Sequence, residues 1–298
     1  MCAFFFYGIL ARNMSSHKKH LGQHFLHDPK LLAKVAAASP AESGDVVLEI
    51  GPGDGSLTRA ILDRGCRVIS VEVDTDLLER LRARFAPEIQ TGQFQLVHAD
   101  FLECSIPGLL PLEKGETERG FEEVIHYHVI ANIPYYITGA IMRKLLTDSY
   151  QPQSLALIMQ REVGERIVCR DEKQSLLSLS VAVYGSPSVA FRIARGAFVP
   201  APDVDSVLLV VRDISRGSFC DTANSENSEL AKKREELFFK LIHLGFAQKR
   251  KQLHKLAASL VPRDIFEAWC IQHSFPFDIR AEDVPLRAWI DLVLCIVN

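Results

Sequence analysis

Short apolar segments alternate with amphipathic helical segments along the first half of the chain, and this alternation limits the folds that it can adopt. Asp28 is a suitable N-cap for the first helix, and Pro29 follows it at the first helical position. Strands are predicted at residues 46–50, 67–71, 94–97 and 124–130, and helices at 30–38, 56–63 and 76–85. This order indicates an α/β fold with a doubly wound parallel sheet and helices on both faces. Later strands are predicted at 155–159, 181–184 and 207–211.

The last third of the chain is predicted to form a separate helical domain. Residues 215–228 are rich in Ser, Asn, Asp and Glu, a composition typical of a linker, and residues 229–260 and 263–273 have helical patterns. The first ten residues are apolar but too few to cross a membrane, and Met14 is an alternative start. We therefore predict a disordered extension at 1–17, an α/β domain at 18–213, a linker at 214–230 and a small all-helical domain at 231–298.

The composition is that of an ordinary globular protein, with 48% hydrophobic and 24% charged residues among 298. A net charge of −3 excludes a uniformly basic nucleic-acid binder, although a local basic patch remains compatible with it. Seven scattered cysteines without a Cys-x-x-Cys pair argue against a disulfide framework and against a structural zinc site. We expect no metal and a reducing, cytoplasmic location.

Polar or glycine-rich signals follow four of the predicted strands. They are the segment at residues 49–55 (Glu-Ile-Gly-Pro-Gly-Asp-Gly), Glu72, Asp100 and Asn132. In a parallel sheet, ligands bind at the carboxyl ends of the strands. Each signal alone also fits a plain turn or a solvated acid. Their order fits S-adenosylmethionine better: glycines approach the ligand, Glu72 accepts from the ribose hydroxyls, and Asp100 accepts from the adenine amino group.

The fourth signal continues as Asn132-Ile133-Pro134-Tyr135 and is suited to hold a flat group that bears an NH2. The Asn132 side-chain oxygen and the exposed carbonyl of Ile133 can accept hydrogen bonds from that amino group. Pro134 fixes the local backbone, and Tyr135 can stack on one face of a base. The plain alternative is a strand-ending turn, in which Asn and Pro are common.

Further motifs accompany these signals in a fixed order, and together they resemble one family. They lie at residues 20–26 (His-Leu-Gly-Gln-His-Phe-Leu), 47–53, 132–135, 159–163 with 166, 198–206, 246–251 with 253, and 280–282. From about residue 18 to its end, the chain resembles the ribosomal RNA adenine N6,N6-dimethyltransferases that modify the small-subunit RNA. The order of several independent motifs makes this resemblance specific.

The resemblance implies a Rossmann-like class I methyltransferase sheet and dimethylation of N6 in two adjacent adenines near the 3′ end of small-subunit ribosomal RNA. It implies a monomer that acts on pre-ribosomal particles during subunit biogenesis, without a membrane. The methyl donor would be S-adenosylmethionine. The family's cofactor contacts carry over onto His24, Leu26, Gly51, Gly53, Glu72, Asp100 and Asn132.

Basic residues are expected to bind the RNA, and Phe198 is expected to close over the second face of the target base. Eight Lys and Arg residues and two acids between Lys232 and Lys255 give that stretch a charge of 8 − 2 = +6. Lys249, Arg250 and Lys251 lie there on a predicted helix, and Arg161 and Arg166 lie on another. The plain alternatives are a solvated helix face for the cations and a core position for Phe198.

Two other functions remain open from the sequence. One is an amino-group methyltransferase that acts on DNA, on a protein glutamine amide or on another RNA, as the related erythromycin-resistance enzymes do. The motif at residues 23–26 and the basic C-terminal helices argue against the first two targets, and the segment at 198–206 argues against the third. The other function is a non-catalytic ribosome assembly factor, which the intact Glu72, Asp100, Asn132 and Tyr135 disfavour.

One motif residue departs from the family pattern, because His24 stands where the family usually has Asn. A neutral imidazole still offers one donor and one acceptor, so cofactor binding is expected to persist. An imidazolium beside the sulfonium would be unfavourable. We therefore predict that the affinity for S-adenosylmethionine falls as the pH is lowered from neutral to mildly acidic. Calorimetric titration checks this, and an unchanged affinity would contradict it.

Overall fold

The computed structural model describes residues 24–110, 126–169, 173–220, 229–248 and 250–297. The predicted extension at 1–17, the first part of the motif at 20–26 and Lys249 lie outside these residues.

The described chain contains nine strands and twelve helices. The strands are β1 Phe25–Leu26, β2 Val46–Ile50, β3 Arg67–Glu72, β4 Phe94–His98, β5 Tyr127–Asn132, β6 Ser154–Gln160, β7 Ser186–Ile193, β8 Phe198–Val199 and β9 Ser206–Arg212. The helices are α1 Pro29–Ala38, α2 Ser56–Leu62, α3 Thr75–Arg84, α4 Ala86–Gln90, α5 Ile106–Leu109, α6 Thr138–Thr147, α7 Arg161–Ile167, α8 Leu176–Ala182, α9 Glu229–Phe246, α10 Leu253–Ala257, α11 Arg263–Gln272 and α12 Leu286–Ile296. None of these helices is both long and apolar enough to span a bilayer.

Seven strands form one sheet in the order β4-β3-β2-β5-β6-β9-β7. The five strands from β4 to β6 are parallel, and β9 pairs antiparallel with β6. Val46 of β2 lies opposite Arg67 of β3 on one side and Tyr127 of β5 on the other. The strand order therefore reverses between β2 and β5, and this switch point is where an open α/β sheet binds ligands.

Burial explains why the central strands were predictable. All five residues of β2 are buried, as are the first six of the seven residues of β6. Such continuous apolar strands are typical of a parallel sheet that is covered on both faces. The first helix begins as predicted, because Asp28 accepts hydrogen bonds from the backbone N–H groups of Lys30 and Leu31.

One predicted strand is wrong, and one strand of the sheet was not predicted. Residues 181–184 were expected to form a strand, but Val181 belongs to α8, which Ser175 opens with a capping box. The strand that was missed is β7, whose residues alternate between exposed and partly buried positions. It lies at the edge of the sheet and contains Pro187, which is tolerated there.

The chain divides into two compact units, which depart from the predicted boundary at residue 213. One unit contains the sheet and ends at Gly164, apart from the segment Ser188–Ile214 that returns to it. The other contains Glu165–Pro187 together with the chain from Ser215 onward. Segment 165–187 belongs with the C-terminal helices because its side chains pack there, and Tyr184 stacks on Phe239 at a ring distance of 6.1 Å.

The predicted linker and the predicted long helix also need correction. Within residues 215–228, Phe219 is only 1% exposed and lies 5.7 Å from the ring of Phe238. The residues of this segment that the structure describes therefore contribute to a core. The helical stretch predicted at 229–260 is interrupted, because α9 ends at Phe246 and α10 begins at Leu253.

We predict that Phe219→Ala lowers the free energy of unfolding of the C-terminal unit by about 3 to 5 kcal/mol, since it leaves a cavity among packed aromatic rings. Urea unfolding followed by tryptophan fluorescence measures this, because both tryptophans, Trp269 and Trp289, lie in that unit. The matched control is Ile271→Ala, whose side chain is 81% exposed. If both variants lowered the free energy of unfolding equally little, Phe219 would not belong to a core, and the prediction of a linker at this position would stand.

Candidate active site

A cavity of about 270 Å³ opens at the carboxyl edge of the sheet, at the switch point between β2 and β5. Its walls come from β1 and from the loops that follow β2, β3, β4 and β5. It brings together ten of the residues predicted from the sequence: His24, Leu26, Gly51, Gly53, Glu72, Asp100, Asn132, Ile133, Pro134 and Tyr135.

The glycine turn after β2 has the backbone conformation that only glycine adopts easily. Gly51, Gly53 and Gly55 have φ angles of 67°, 60° and 82°. A Cβ on Gly53 would lie 2.7 Å from the Phe25 ring. A Cβ on Gly51 would meet no atom within 4 Å, because the space in front of this residue is open. Gly51 thus leaves room for a ligand to approach the backbone.

Glu72 ends β3 with its side chain held by the backbone. Its Oε1 accepts hydrogen bonds from the N–H groups of Val73 and Asp74, both at 2.9 Å, and its Oε2 accepts a longer one of 3.4 Å from Gly53. Burial raises the pKa of Glu72, and these backbone donors partly offset the shift. The carboxylate is therefore fixed in place, and Oε2 retains capacity to accept from a ligand hydroxyl.

Asp100 follows β4 at the same edge of the sheet at which Glu72 ends β3. Its Oδ1 accepts from the backbone N–H of Leu102 at 2.9 Å and so caps the short 3₁₀ turn Phe101–Glu103. No donor in the described residues contacts the other oxygen, Oδ2. This oxygen can accept a hydrogen bond from an amino group.

The side chain of Asn132 is oriented by a backbone group far away in sequence. Its Nδ2 donates a 2.7 Å hydrogen bond to the carbonyl oxygen of His24. A carbonyl can only accept, so the amide nitrogen must face His24, and Oδ1 is left as the acceptor toward the cavity. The Ile133 carbonyl was expected to be exposed, but the residue is only 1% exposed. It lines the cavity without being open to bulk water.

His24 and Tyr135 fix each other's rings. The rings stack with centroids 5.7 Å apart, and the Tyr135 hydroxyl lies 2.6 Å from Oγ of Ser206. The Nδ1 of His24 donates to the carbonyl oxygen of Pro200 at 2.8 Å. In the neutral ring, Nε2 therefore carries the lone pair. One face of Tyr135 is covered by His24, which leaves the other face for a ligand.

Phe198 is not brought to the cavity. It is 2% exposed and packs in the main hydrophobic cluster, opposite Leu26 in the antiparallel pair of β1 and β8. The structure thus supports the plain alternative of a core aromatic. The prediction rested on the motif at 198–206, and this segment does pass beside the site, where Pro200 contacts His24.

The described cationic residues predicted to bind RNA lie on the surface, but one structural expectation for them is wrong. Arg250 and Lys251 are exposed in the turn between α9 and α10, not on a helix. Arg161 and Arg166 are exposed on α7, as predicted. Arg161 also pairs with Asp205 at 3.9 Å, and because both side chains are nearly half exposed the ion pair is weak.

Glu49, the buried acid of β2, was predicted only as part of the glycine-rich signal and was given no role of its own. It is 1% exposed, and its Oε2 accepts hydrogen bonds from Thr58 at 2.6 Å and Ser70 at 2.7 Å. Its Oε1 has no hydrogen-bond partner within the described residues. Burial raises the pKa of Glu49 to about 7, with the nearby carboxylates of Glu72 and Asp54 adding to the shift. An acid inside an otherwise apolar strand was the available signal.

The donor and acceptor groups of the cavity fit an adenosyl cofactor. Glu72 offers an acceptor for ribose hydroxyls, Asp100 offers one for an adenine amino group, and Gly51 leaves open space beside the backbone. The described residues contain no group of three or more His, Cys, Asp and Glu side chains that could hold a metal ion.

Comparison with known proteins gives consistent matches. The family model described as ribosomal RNA adenine dimethylase matches residues 14–296. The chain is 35% identical to the ribosomal RNA small subunit methyltransferase A of Dehalococcoides mccartyi strain CBDB1, over 93% of this chain and 87% of the relative. It is 31% identical to the protein of the same name from Fusobacterium nucleatum, over 93% of this chain and 96% of that relative.

Two crystal structures share the fold. One is the 23S rRNA methyltransferase ErmE, with a TM-score of 0.69 and 24% identity over 91% of this chain and 99% of that one. The other is a dimethyladenosine transferase from Plasmodium falciparum, with a TM-score of 0.66 and 22% identity over 91% of this chain and 96% of that one. These likenesses confirm the predicted class I methyltransferase fold.

We predict that Glu49→Gln changes the pH dependence of stability. The pKa of Glu49 in the folded chain lies above its ordinary value of 4.5, so the stability it contributes is complete below about pH 4.5 and is lost as the pH rises through about 7. Glutamine does not ionise. The stability of the variant relative to the native chain should therefore increase between about pH 5 and pH 8, by about 3 kcal/mol at most.

Thermal unfolding at a series of pH values measures this difference. The control is Glu79→Gln, which replaces an exposed glutamate of α3 and should give a nearly constant difference. A constant difference for Glu49→Gln as well would contradict the predicted shift.

Proposed function

Because the chain belongs to the ribosomal RNA adenine dimethylase family, we propose that it dimethylates N6 of two adjacent adenines near the 3′ end of small-subunit ribosomal RNA. The observation that carries this proposal is the fixed amide of Asn132. Its Nδ2 is held by the His24 carbonyl, so that Oδ1 is an acceptor for an amino group at the cavity. The relatives at 31–35% identity are named for the small-subunit RNA, which favours that target.

S-adenosylmethionine, when bound, supplies a methyl group that its sulfonium already activates. We infer that Glu72 holds the ribose hydroxyls and that Asp100 holds the adenine amino group of this cofactor. Gly51 and Gly53 admit it close to the backbone, while Leu26 supplies an apolar contact. His24 completes the site through its ring or its backbone.

The protein's part in the reaction is orientation more than acid–base chemistry. The lone pair of adenine N6 is delocalised into the ring, which makes this nitrogen a poor nucleophile. Hydrogen bonds from N6–H to Oδ1 of Asn132 and to the carbonyl of Ile133 favour a pyramidal, nucleophilic nitrogen. Pro134 fixes the turn, and Tyr135 offers its open face to the base. Such alignment accounts for a large part of enzymatic rate enhancement.

The target base must leave its stack to enter the cavity, so the RNA backbone must be held outside it. We propose that Arg161, Arg166, Lys249, Arg250 and Lys251 contact phosphates. Exposure of the four described members supports this role, since phosphate contacts need accessible cations. The resemblance of the motifs further suggests a cytoplasmic monomer that acts on pre-ribosomal particles, with the C-terminal helices as part of the RNA-binding surface.

A non-catalytic assembly factor is the less favoured alternative. A protein retained only for binding would not need Asn132 held by His24 or Glu72 held by three backbone N–H groups.

We predict that the protein forms dimethyladenosine when it is incubated with S-adenosylmethionine and unmethylated small ribosomal subunits. Digestion of the RNA and mass spectrometry detect the product. Product with large-subunit RNA but none with small subunits would refute the proposed target.

We further predict that Asn132→Ala lowers the rate by about 100-fold or more, because it removes an acceptor that positions N6 and releases the His24 carbonyl. Binding to the subunits should persist. Thr91→Ala, which lies in the same unit but outside the cavity lining, is the control and should retain full activity. Full activity of Asn132→Ala would refute the role of that side chain.

A further inference from the structure

Tyr136 is far more exposed than several other residues that line the cavity. It is 64% exposed, whereas Leu26, Glu72 and Ile133 are 4%, 3% and 1% exposed. It lies on the 3₁₀ turn Tyr135–Ile137, directly after the Asn-Ile-Pro-Tyr segment. A lining residue that is exposed to this degree lies at the mouth.

The two adjacent tyrosines are held differently. Tyr135 is half-buried, with its ring against His24 and its hydroxyl on Ser206. Within the described part of the chain, the side chain of Tyr136 has no hydrogen bond and no ring contact. The protein thus keeps an aromatic side chain in solvent beside its reactive site, where nothing in the fold requires one.

Three other exposed apolar side chains lie either in the cavity lining or in the segment that is hydrogen-bonded to it. Val73 lines the cavity and is 49% exposed. Val199 and Val204 are 60% and 45% exposed, in the segment that Pro200 ties to His24 and Ser206 ties to Tyr135. Tyr136 and these three make four of the seven large apolar side chains that are exposed in the described chain. More than half of these exposed side chains thus belong to the cavity lining or to the segment bonded to it.

The proposed substrate explains what this surface meets. One adenine at a time enters the cavity, and the nucleotides on either side of it stay outside. The sugar–phosphate chain keeps these neighbours close to the cavity. A nucleotide next to the target is therefore at the mouth during each reaction. An exposed aromatic ring binds an unstacked base through its face, with an affinity that follows the stacking strength of the base.

We propose that Tyr136 is a stacking surface for the nucleotide next to the target adenine. This inference rests on the proposed function. The two target adenines are neighbours in the RNA. While one of them is in the cavity, the other is therefore the base that stacks on Tyr136. Tyr136 thereby holds the strand in register, whereas Tyr135 contacts the base that reacts.

The test compares Tyr136→Leu and Tyr136→Phe by steady-state kinetics on unmethylated small subunits. Leucine removes the stacking ring and should lower kcat/KM for the subunits about tenfold, whereas phenylalanine keeps the ring and should stay near the native value. The affinity for S-adenosylhomocysteine, measured by calorimetry without RNA, should be the same in both variants. Ile89→Ala, an exposed apolar residue outside the cavity lining, is the control.

Subunits in which uracil replaces the neighbouring adenine complete a double-mutant cycle. If Tyr136 stacks on that base, the change to uracil lowers kcat/KM of the native enzyme. On the uracil-containing subunits, Tyr136→Leu should then lower kcat/KM by less than tenfold. Native activity in Tyr136→Leu, an equal loss in Tyr136→Phe, or a fully additive defect in the cycle would each overturn the proposal. An inactive native enzyme would overturn the proposed function instead, so the two failures are distinct.

Discussion

The site depends on the reversal of strand order between β2 and β5. Because the strands on both sides of the reversal are parallel, their carboxyl ends meet at one edge, and the connecting helices leave from it in opposite directions. Gly51, Glu72, Asp100 and Asn132 reach one cavity for this reason, although they span more than eighty positions of the sequence.

A second network joins the site to segments outside that edge. The backbone of His24 holds the Asn132 amide, while its ring contacts Tyr135 and the carbonyl of Pro200. Ser206 then binds the Tyr135 hydroxyl. The start of the described chain, the end of β5 and the segment before β9 are thus fixed together. His24 participates with its backbone as well as its ring, so replacement by the family's Asn would preserve the contact to Asn132.

The elements that local sequence specifies were predictable, and those that depend on distant partners were not. Strands β2 and β6 are mainly apolar, and Asp28 caps its own helix, so their neighbours in sequence suffice to identify them. The ring of Phe219 packs on Phe238 and Tyr184, and α8, which contains Val181, packs against α9. The state of both segments is set by these tertiary contacts, so it could not be predicted from neighbouring residues. Phe198 was misplaced for the same reason, because its burial follows from pairing with Leu26.

The acids around the cavity have a consequence for turnover. Glu49, Asp54, Glu72 and Asp100 all line it, and the described lining contains no lysine or arginine. A negative surface of this kind holds a cation more tightly than a neutral molecule of the same shape. Methyl transfer converts a positively charged sulfonium into an uncharged thioether. The part of the attraction that depends on the sulfonium charge is therefore lost in the reaction itself, so the spent molecule is held less tightly than fresh methyl donor.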